Sequence, residues 1–334
     1  MSDIKVLLTR HLPDEVEAAF QEHFDVSLNP SDTPLADDQW RDALQNFDAI
    51  CPTVTDNIHA DLFQGISSPR TRILANFGVG FNHIALSAAG KLGISITNTP
   101  DVLTDATADL AMTILLMLAR RAGEGERLVR SKQWSGWYPT QLLGTMVSGK
   151  TLGIIGMGRI GLATAQRASK GFGMKVLYHN RKPLHAEVQG DLQAEYCGSL
   201  EAMLPRCDYL SLHCPGGDAT RHLLNADTLS LLPKHAFVIN TSRGDVIDED
   251  ALIAALQNGA IAGAGLDVYA REPEIPASLL AMENVVLLPH LGSATLETRT
   301  AMGLRVLNNL KVFFAGDTPP DLVSPPGNPP GKQA

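Results

Sequence analysis

Cysteine is scarce in this chain of 334 residues. The four thiols, Cys51, Cys197, Cys207 and Cys214, form no C-x-x-C pair and have no metal-like companion histidines. That spacing argues against a disulfide scaffold or a metal site and predicts reduced thiols in a reducing, cytoplasmic compartment. Aromatic residues amount to 5%, and positive charge is in the minority, with 27 Lys and Arg against 36 Asp and Glu for a net charge of −9. Such a balance excludes nucleic acid or an anionic membrane as the main partner, although a local basic patch can still hold a small anion. Long hydrophobic runs are missing as well. The most apolar stretch, Leu110 to Ala119, is too short to span a bilayer, lies between Asp109 and Arg120, and reads as a buried helix. Residues 1–30 show no apolar core of a signal peptide.

What is there is 44% hydrophobic residues in a chain long enough for two domains. Strand-like runs alternate with helical stretches. Ile4 to Thr9, Ala49 to Cys51, Arg72 to Asn76 and Ile94 to Asn98 read as strands of one small parallel sheet. Pro13 to Phe20 and Ala36 to Leu44 are amphipathic helices between them. A second series comprises Val176 to Tyr178, Tyr209 to His213, Phe237 to Thr241, Ala264 to Val268 and Val285 to Leu288. Repeated β-α alternation implies parallel sheets covered by helices on both faces. A long helix, roughly Thr104 to Arg130, is expected to lead from the first unit to the second, and a helix from about Thr295 to Phe314 to return to the first. The expected division is 1–100 with 291–318 as a discontinuous substrate domain, 101–290 as the dinucleotide domain, a cleft between them, and 319–334 as a Pro- and Gly-rich flexible tail.

The second series opens on Lys150-Thr151-Leu152-Gly153-Ile154-Ile155-Gly156-Met157-Gly158-Arg159-Ile160-Gly161. This reads as a buried strand, a G-x-G-x-x-G turn through Gly156, Gly158 and Gly161, and the first turn of a helix. Glycine lets the backbone turn sharply and approach a pyrophosphate, and the helix start offers N–H groups and positive dipole to phosphates. The pattern alone is weak, but a strand before it, a helix after it and a second strand at Lys175 to His179 supply the context of a dinucleotide site. NAD enzymes place a carboxylate about 20 residues on, at the end of that second strand. Here His179-Asn180-Arg181-Lys182 offers none, and two cations stand ready to pair with a 2′-phosphate. The same residues also suit a solvated basic loop; NADP(H) is the preferred reading and NAD(H) stays open.

In open α/β sheets ligands lie beyond the carboxyl ends of the strands. The residues just past those ends are Cys214-Pro215, Ser242-Arg243-Gly244, Asp267 through Glu272, and His290. Hydride reduction of a keto acid leaves an alkoxide that needs a proton, and histidine is the side chain best suited to supply it at neutral pH. His290 alone would read as a buried structural histidine; Glu272 tips the balance if it reaches the ring, because a carboxylate stabilises imidazolium and fixes its tautomer. Arg243 offers a planar fork for a substrate carboxylate or carbonyl, or else caps backbone carbonyls near the helix starting at about Asp248. Asp248, Glu249 and Asp250 form a favourable acidic helix start without a catalytic role. In the first unit, Asn76-Phe77-Gly78-Val79-Gly80-Phe81-Asn82 ends a strand with a turn that is either an anion-binding nest or a plain tight turn.

These residues resemble the D-isomer-specific 2-hydroxyacid dehydrogenase family over almost the whole chain up to the proline-rich tail. Phe77-Gly78-Val79-Gly80, Thr104 to Leu110, Gly156 to Gly161, Asn240-Thr241-Ser242-Arg243-Gly244, Gly265-Leu266-Asp267-Val268, Arg271-Glu272-Pro273 and Pro289 to Thr295 carry the likeness in order and spacing. The resemblance implies a two-domain α/β fold, with a Rossmann-type nucleotide-binding domain and a smaller flavodoxin-like parallel-sheet substrate domain. It also implies that Arg243 orients substrate, Glu272 pairs with His290, and His290 gives or takes the proton. Asp267 would lie by the nicotinamide. Thr107, Arg159, Ile160, Cys214, Thr220 and Thr241 would line the cofactor, with Pro215 and Gly292 beside them, and the backbone of Val79 and Gly80 would hold the substrate carboxylate.

Within the family the chain is most similar to glyoxylate/hydroxypyruvate reductases. Gln133-Trp134-Ser135-Gly136-Trp137 resembles their tryptophan-bearing dimer arm, which implies a homodimer in which Trp137 closes over the neighbour's site or simply buries area. Two departures stand out: Gly216-Gly217 replace the family's usual leucine and threonine, and Asn180 replaces its frequent ribose-binding Asp. Formate-type members place glutamine where Glu272 stands, and phosphoglycerate-type members commonly carry a longer C-terminal regulatory region. The expectation is NADPH-dependent reduction of glyoxylate or hydroxypyruvate to the D-2-hydroxy acid. The alternatives are an NAD-dependent dehydrogenase for a larger keto acid and, from another class, a nucleotide-sensing scaffold like the corepressors that resemble this family.

Overall fold

A computed structural model describes residues 3–324. They fall into two compact units, one formed by the chain up to Leu103 together with the segment from Thr295, the other running from Thr104 to Ala294. The first unit begins with β1 (Lys5–Leu8), α1 (Asp14–His23), β2 (Asp25–Leu28), α2 (Asp37–Asn46), β3 (Ala49–Cys51), β4 (Ile73–Ala75), α3 (Leu86–Lys91) and β5 (Ser95–Thr97). The second opens with α4 (Thr104–Ala119), α5 (Ala122–Arg130), β6 (Thr151–Ile155), α6 (Arg159–Phe172), β7 (Lys175–His179), α7 (Ala186–Leu192) and β8 (Glu195–Tyr196). It continues through α8 (Leu200–Met203), β9 (Tyr209–Leu212), α9 (Ala226–Ser230), β10 (Phe237–Asn240), α10 (Glu249–Gln257), β11 (Gly263–Leu266), α11 (Ala277–Leu280) and β12 (Val285–Leu287). The chain then re-enters the first unit as α12 (Leu296–Phe314) and β13 (Leu322–Ser324).

The sheet of the first unit has the order β13-β5-β4-β3-β1-β2, parallel except for β13, which pairs antiparallel with β5. Without that edge strand the order is the flavodoxin-like 2-1-3-4-5. Side chains alternate across its strands. Val6 and Leu8 pack with Val16 and Phe20 of α1 and Val306 and Leu310 of α12, whereas Leu7, Ile50 and Leu74 pack with Trp40 and Leu44 of α2. Both faces are covered, which is why the central strands β3 and β4 are apolar throughout instead of alternating.

In the second unit all seven strands are parallel, in the order β12-β11-β10-β9-β6-β7-β8. The direction of winding reverses between β6 and β9, and doubly wound sheets open their ligand crevice at such a point. Leu152 and Ile154 of β6 pack beneath Ile114 and Leu115 of α4 and Ala165 and Ala168 of α6, while Ile155 joins the core on the opposite face with Leu210, Leu212 and Leu252. No helix among the described residues is long and apolar enough to cross a membrane.

The structure departs from the sequence reading in several places. The single helix expected from Thr104 to Arg130 is two, because Arg121 takes a left-handed φ of 50° and the Ala119 carbonyl accepts the N–H of Thr145, 2.7 Å away. The tail expected from Pro319 begins with order: Leu322–Ser324 completes the first sheet as β13, and the rest of that segment lies outside the described residues. The second crossing falls after Ala294, not His290, since Gly292 is held within the second unit by Thr107 and Asp267. The edge strands β2 and β8 and the six-residue α3 are additional elements.

At the winding reversal, His213 follows β9. Its Nε2 meets Ser211 Oγ at 2.9 Å, and its Nδ1 is buried without a partner among the described residues. Burial pushes its pKa from 6.5 down to about 4. Between those values the unfolded chain carries the proton and the folded chain does not, so this group's contribution to stability falls as pH drops from 6.5 to 4. At about 1.4 kcal/mol per unit the loss reaches about 3 kcal/mol. Thermal melts across that range should therefore show a shallower decline for His213→Gln than for the parent chain. Parallel declines would refute the assignment.

Candidate active site

Gly156 follows β6 with φ +92°, a conformation that side chains rarely adopt, and a Cβ there would strike the backbone of His213 and Cys214, just past the neighbouring β9. A Cβ on Gly161 would overlap the Gly156 carbonyl oxygen, so the first turn of α6 rests directly on the strand end. Gly158, between them, is exposed, and the space where its Cβ would lie is open. No side chain caps the N-terminus of α6 at Gly158. These are the three glycine tasks of a pyrophosphate-binding turn: a sharp bend, an open approach and close helix–strand packing. The residues thus fit a dinucleotide.

Around the turn, Arg159 is exposed and Ile160 half-buried. Asn180, at the end of β7, accepts the N–H of Met157 on its Oδ1 at 2.7 Å, so its carboxamide is spent on the glycine loop. Arg181 and Lys182 follow it, both exposed. At the next strand ends Cys214 is buried with its thiol pushed up to about 11 by burial, so it remains protonated, and Pro215 is exposed. The Thr220 hydroxyl donates to the Pro215 carbonyl at 2.6 Å. The Thr241 hydroxyl is buried with no partner among the described residues, a polar group left for something else to satisfy. The Gly216-Gly217 departure has a structural answer: Gly217 donates its N–H to Asp245 Oδ2 at 3.0 Å, which ties this loop to the one carrying Arg243.

The strands β10, β11 and β12 lie side by side, and each delivers one chemical group at its carboxyl end. Arg243 follows β10 on extended backbone. Asn240 shapes that loop, its Oδ1 accepting from the N–H and hydroxyl of Ser242 and its Nδ2 donating to the Arg243 carbonyl. A Cβ on Gly244 would overlap Tyr269, so glycine is what lets the arginine loop lie against the segment carrying Glu272. Glu272 follows β11, and its Oε2 meets Nδ1 of His290, just after β12, at 2.7 Å. Its Oε1 accepts the N–H of Tyr269 at 3.0 Å, and the Tyr269 hydroxyl donates to the carbonyls of Leu266 and Leu288, bracing the ends of β11 and β12. The carboxylate and imidazole are each about one-third exposed, 34% and 32%, so the pair is held yet reachable.

Burial works to raise the Glu272 carboxyl's pKa, but the His290 contact, the Tyr269 N–H and the charge of Arg243 outweigh it and leave the group below the ordinary range. For Arg243, burial lowers the pKa against the pull of Glu272 and Asp245, and the guanidinium keeps its charge. His290 takes φ 55°, a left-handed conformation that costs a non-glycine residue about 1–3 kcal/mol. The neighbouring backbone holds it there. Asp267, 1% exposed, accepts the N–H groups of Leu291 and Gly292 at 2.6 and 2.8 Å, and its own carbonyl accepts from His290. Burial raises the Asp267 pKa beyond what those two donors and the charge of His290 can offset. Thr107 of α4 donates its hydroxyl to the Gly292 carbonyl at 2.9 Å. Asp248 caps α10, accepting from Ala251, and Glu249 and Asp250 lie in its first turn.

Val79 and Gly80 belong to the first unit, in the turn after β4. The Asn76 carboxamide donates to the carbonyls of Gly78 and Gly80, each at 3.0 Å, and Asn98 donates to that of Val79 at 2.9 Å. The N–H groups of Val79 and Gly80 meet no protein acceptor among the described residues. Trp137 is 80% exposed in the segment after α5. The sequence reading missed Asp245 and Asn98 and gave Tyr269 no role of its own, because their roles depend on partners that only folding brings near. Among the described residues no group of three or more His, Cys, Asp or Glu is placed to hold a metal.

Comparison with known proteins agrees with this architecture. The family model described as "D-isomer specific 2-hydroxyacid dehydrogenase, NAD binding domain" matches residues 112–292. Among curated relatives, a glyoxylate reductase of Thermococcus litoralis is 43% identical over 328 residues, covering 96% of each chain, and one of Korarchaeum cryptofilum is 42% identical over 322 residues, with the same coverage. A solved putative D-isomer specific 2-hydroxyacid dehydrogenase from Polaromonas sp. JS6 66 superposes with TM-score 0.90 at 39% identity, over 97% of this chain and 100% of that one. An NADPH-dependent glyoxylate/hydroxypyruvate reductase from Sinorhizobium meliloti, solved with NADP and malonate, gives TM-score 0.83 at 35% identity over the whole of both chains. With its doubly wound dinucleotide unit and its arginine, glutamate and histidine on three adjacent strand ends, the chain belongs to the D-isomer specific 2-hydroxyacid dehydrogenases, a family of NAD(P)-dependent oxidoreductases.

Proposed function

We propose that the chain reduces a small 2-keto acid, glyoxylate or hydroxypyruvate, to the D-2-hydroxy acid, with His290 as proton donor and NADPH as the preferred reductant. The observation that carries this reading is the 2.7 Å contact between His290 Nδ1 and Glu272. With Nδ1 engaged by a carboxylate, Nε2 is the nitrogen that holds the mobile proton. Relatives with matching coverage that are named glyoxylate reductases support the substrate class.

A reduced dinucleotide bound at the glycine turn would supply the hydride that the keto carbon needs. Arg243 takes the substrate's carboxylate or polarises its carbonyl through its planar fork. The N–H groups of Val79 and Gly80 are assigned to the carboxylate. His290 Nε2 delivers its proton to the carbonyl oxygen, and Glu272, bonded to Nδ1, keeps the ring oriented. The glycine turn of Gly156, Gly158 and Gly161, with Arg159, Ile160, Thr107, Cys214, Pro215, Thr220, Thr241, Asp267 and Gly292, is assigned to the dinucleotide. Preference for NADPH is supported by the lack of a carboxylate after β7, where Asn180 is turned to the glycine loop and Arg181 and Lys182 are exposed. A 2′-phosphate would meet cations there and no repelling charge.

A homodimer is part of the same proposal. Val129, Trp134, Trp137, Tyr138, Leu143 and Met146 are each at least half exposed within one short segment, an apolar surface of the kind a second copy covers.

Three measurements test these assignments. His290→Ala should lower kcat by about two to four orders of magnitude, as expected for loss of a general acid, while KM for the dinucleotide changes little; a near-normal kcat would remove His290 from the chemistry. Arg181→Ala should raise KM for NADPH at least about tenfold and barely change that for NADH, the equivalent of about 1.4 kcal/mol, and equal effects on both cofactors would defeat the phosphate contact. In sedimentation experiments the parent chain should run as a dimer and Leu143→Glu as a monomer. A monomeric parent at micromolar concentration would sink the dimer.

A further inference from the structure

The turn after β4 is held from behind, one peptide at a time. A trans peptide is planar, so its C=O and the following N–H point in opposite directions. The Gly78 carbonyl accepts from Asn76 Nδ2 and from the N–H of Thr99, both at 3.0 Å, which turns the N–H of Val79 outward. The Val79 carbonyl accepts from Asn98 Nδ2 at 2.9 Å, which turns the N–H of Gly80 outward. Asn76 is fully buried, and its Oδ1 is engaged by His83 Nε2 at 3.1 Å. The first peptide therefore has two donors behind it; among the described residues, the second has Asn98.

Asn98 is itself gripped by the end of the described chain. Its backbone carbonyl accepts from Asn309 Nδ2 of α12, and its N–H donates to the carbonyl of Asp321, both at 3.3 Å. Asn309, fully buried, also donates to Asp321 Oδ2 at 3.1 Å and accepts the Asp321 N–H at 3.3 Å. Arg305 then clamps the Asp321 carboxylate with two bonds of 2.8 and 2.7 Å. We infer that Asn98 is a positioning residue for the substrate carboxylate: it holds the Val79–Gly80 peptide with the Gly80 N–H facing out, and the segment leading into β13 holds Asn98 through Asn309 and Asp321. This rests on the proposed function for the identity of the anion, and on the geometry alone for the direction of the N–H groups.

The sequence permits a test at single-peptide resolution, because Val79-Gly80 is its one Val-Gly pair and Gly78-Val79 its one Gly-Val pair. Carbonyl-13C valine combined with amide-15N glycine therefore reports the Gly80 N–H as a single NMR peak, and the reverse pairing reports that of Val79, in the full-length chain saturated with NADP+. Oxalate, a non-reacting dicarboxylate, should shift both peaks in the parent protein. In Asn98→Ala the Gly80 peak should stop responding while the Val79 peak still moves. KM for glyoxylate should rise about tenfold, as for loss of a hydrogen bond that orients a charged ligand's donor, with KM for the dinucleotide and the melting temperature nearly unchanged. Asp321→Asn, which loosens the Arg305 clamp two steps away, should show the same pattern attenuated. Persistence of the Gly80 response in Asn98→Ala, or an equal rise in KM for keto acid and dinucleotide, would overturn the inference. Parent peaks unmoved by oxalate would also overturn it, leaving any glyoxylate turnover untouched. Parent peaks that respond to oxalate in a protein that turns over no glyoxylate would instead defeat the proposed substrate and leave the positioning role standing.

Discussion

The proton transfer proposed for His290 needs an imidazole gripped at the nitrogen that does not react, and the short bond from Glu272 to His290 would be that grip. Much of the second unit serves to make it possible. Glutamate and histidine arrive from β11 and β12, which are neighbours in the sheet, so their carboxyl ends are brought together by backbone pairing alone. Tyr269 then joins those two ends through its hydroxyl and anchors the far oxygen of Glu272 through its N–H. The left-handed backbone at His290 is the strained element in this arrangement. Two N–H groups bound to the buried carboxylate of Asp267 keep it from relaxing.

Charge presents a second constraint. The chain carries a net charge of −9, yet its cofactor and the substrate proposed for it are anions. The carboxylates near the site are each committed. Glu272 belongs to His290, Asp267 to two backbone N–H groups, and Asp245 to Gly217 through one oxygen. What the strand ends then offer an anion is the guanidinium of Arg243 and the start of α6. The cations after β7 add to it. Backbone donors suit this task because they carry no counter-charge of their own and cannot rotate away once the chain is folded.

Much of this arrangement was legible in the sequence because it depends on local chemistry. Buried parallel strands read as short apolar runs, and a glycine turn set between a strand and a helix points to phosphate binding. Arg243, Glu272 and His290 could be placed together because each follows a strand. Where the reading failed, the deciding interaction was tertiary. β2 is a half-buried edge strand with no continuous apolar run to reveal it. The break between α4 and α5 contains neither proline nor glycine at Arg120-Arg121, and it is set by the Ala119 carbonyl accepting a returning strand of chain at Thr145. β13 lies in a stretch whose composition suggests disorder, and Arg305, Asn309 and Asp321 hold its approach in place.

Asparagine marks the limit of reading function from a single chain. Asn76, Asn98, Asn180 and Asn240 each follow or end a strand, and each uses its carboxamide to shape a loop at a strand's end. A carboxamide has a donor and an acceptor at one side-chain end, so it can replace two missing backbone partners where a strand gives way to a turn. Nothing in its neighbours announces this. The partner of Asn98 on α12 lies 211 residues away, and the contact between Thr107 and Gly292 spans 185. Residues that touch ligand are recognisable by their own chemistry, whereas residues that aim them are recognisable only by what the fold brings alongside. Sequence patterns therefore recover the reacting groups of such a site more readily than the scaffold that orients them.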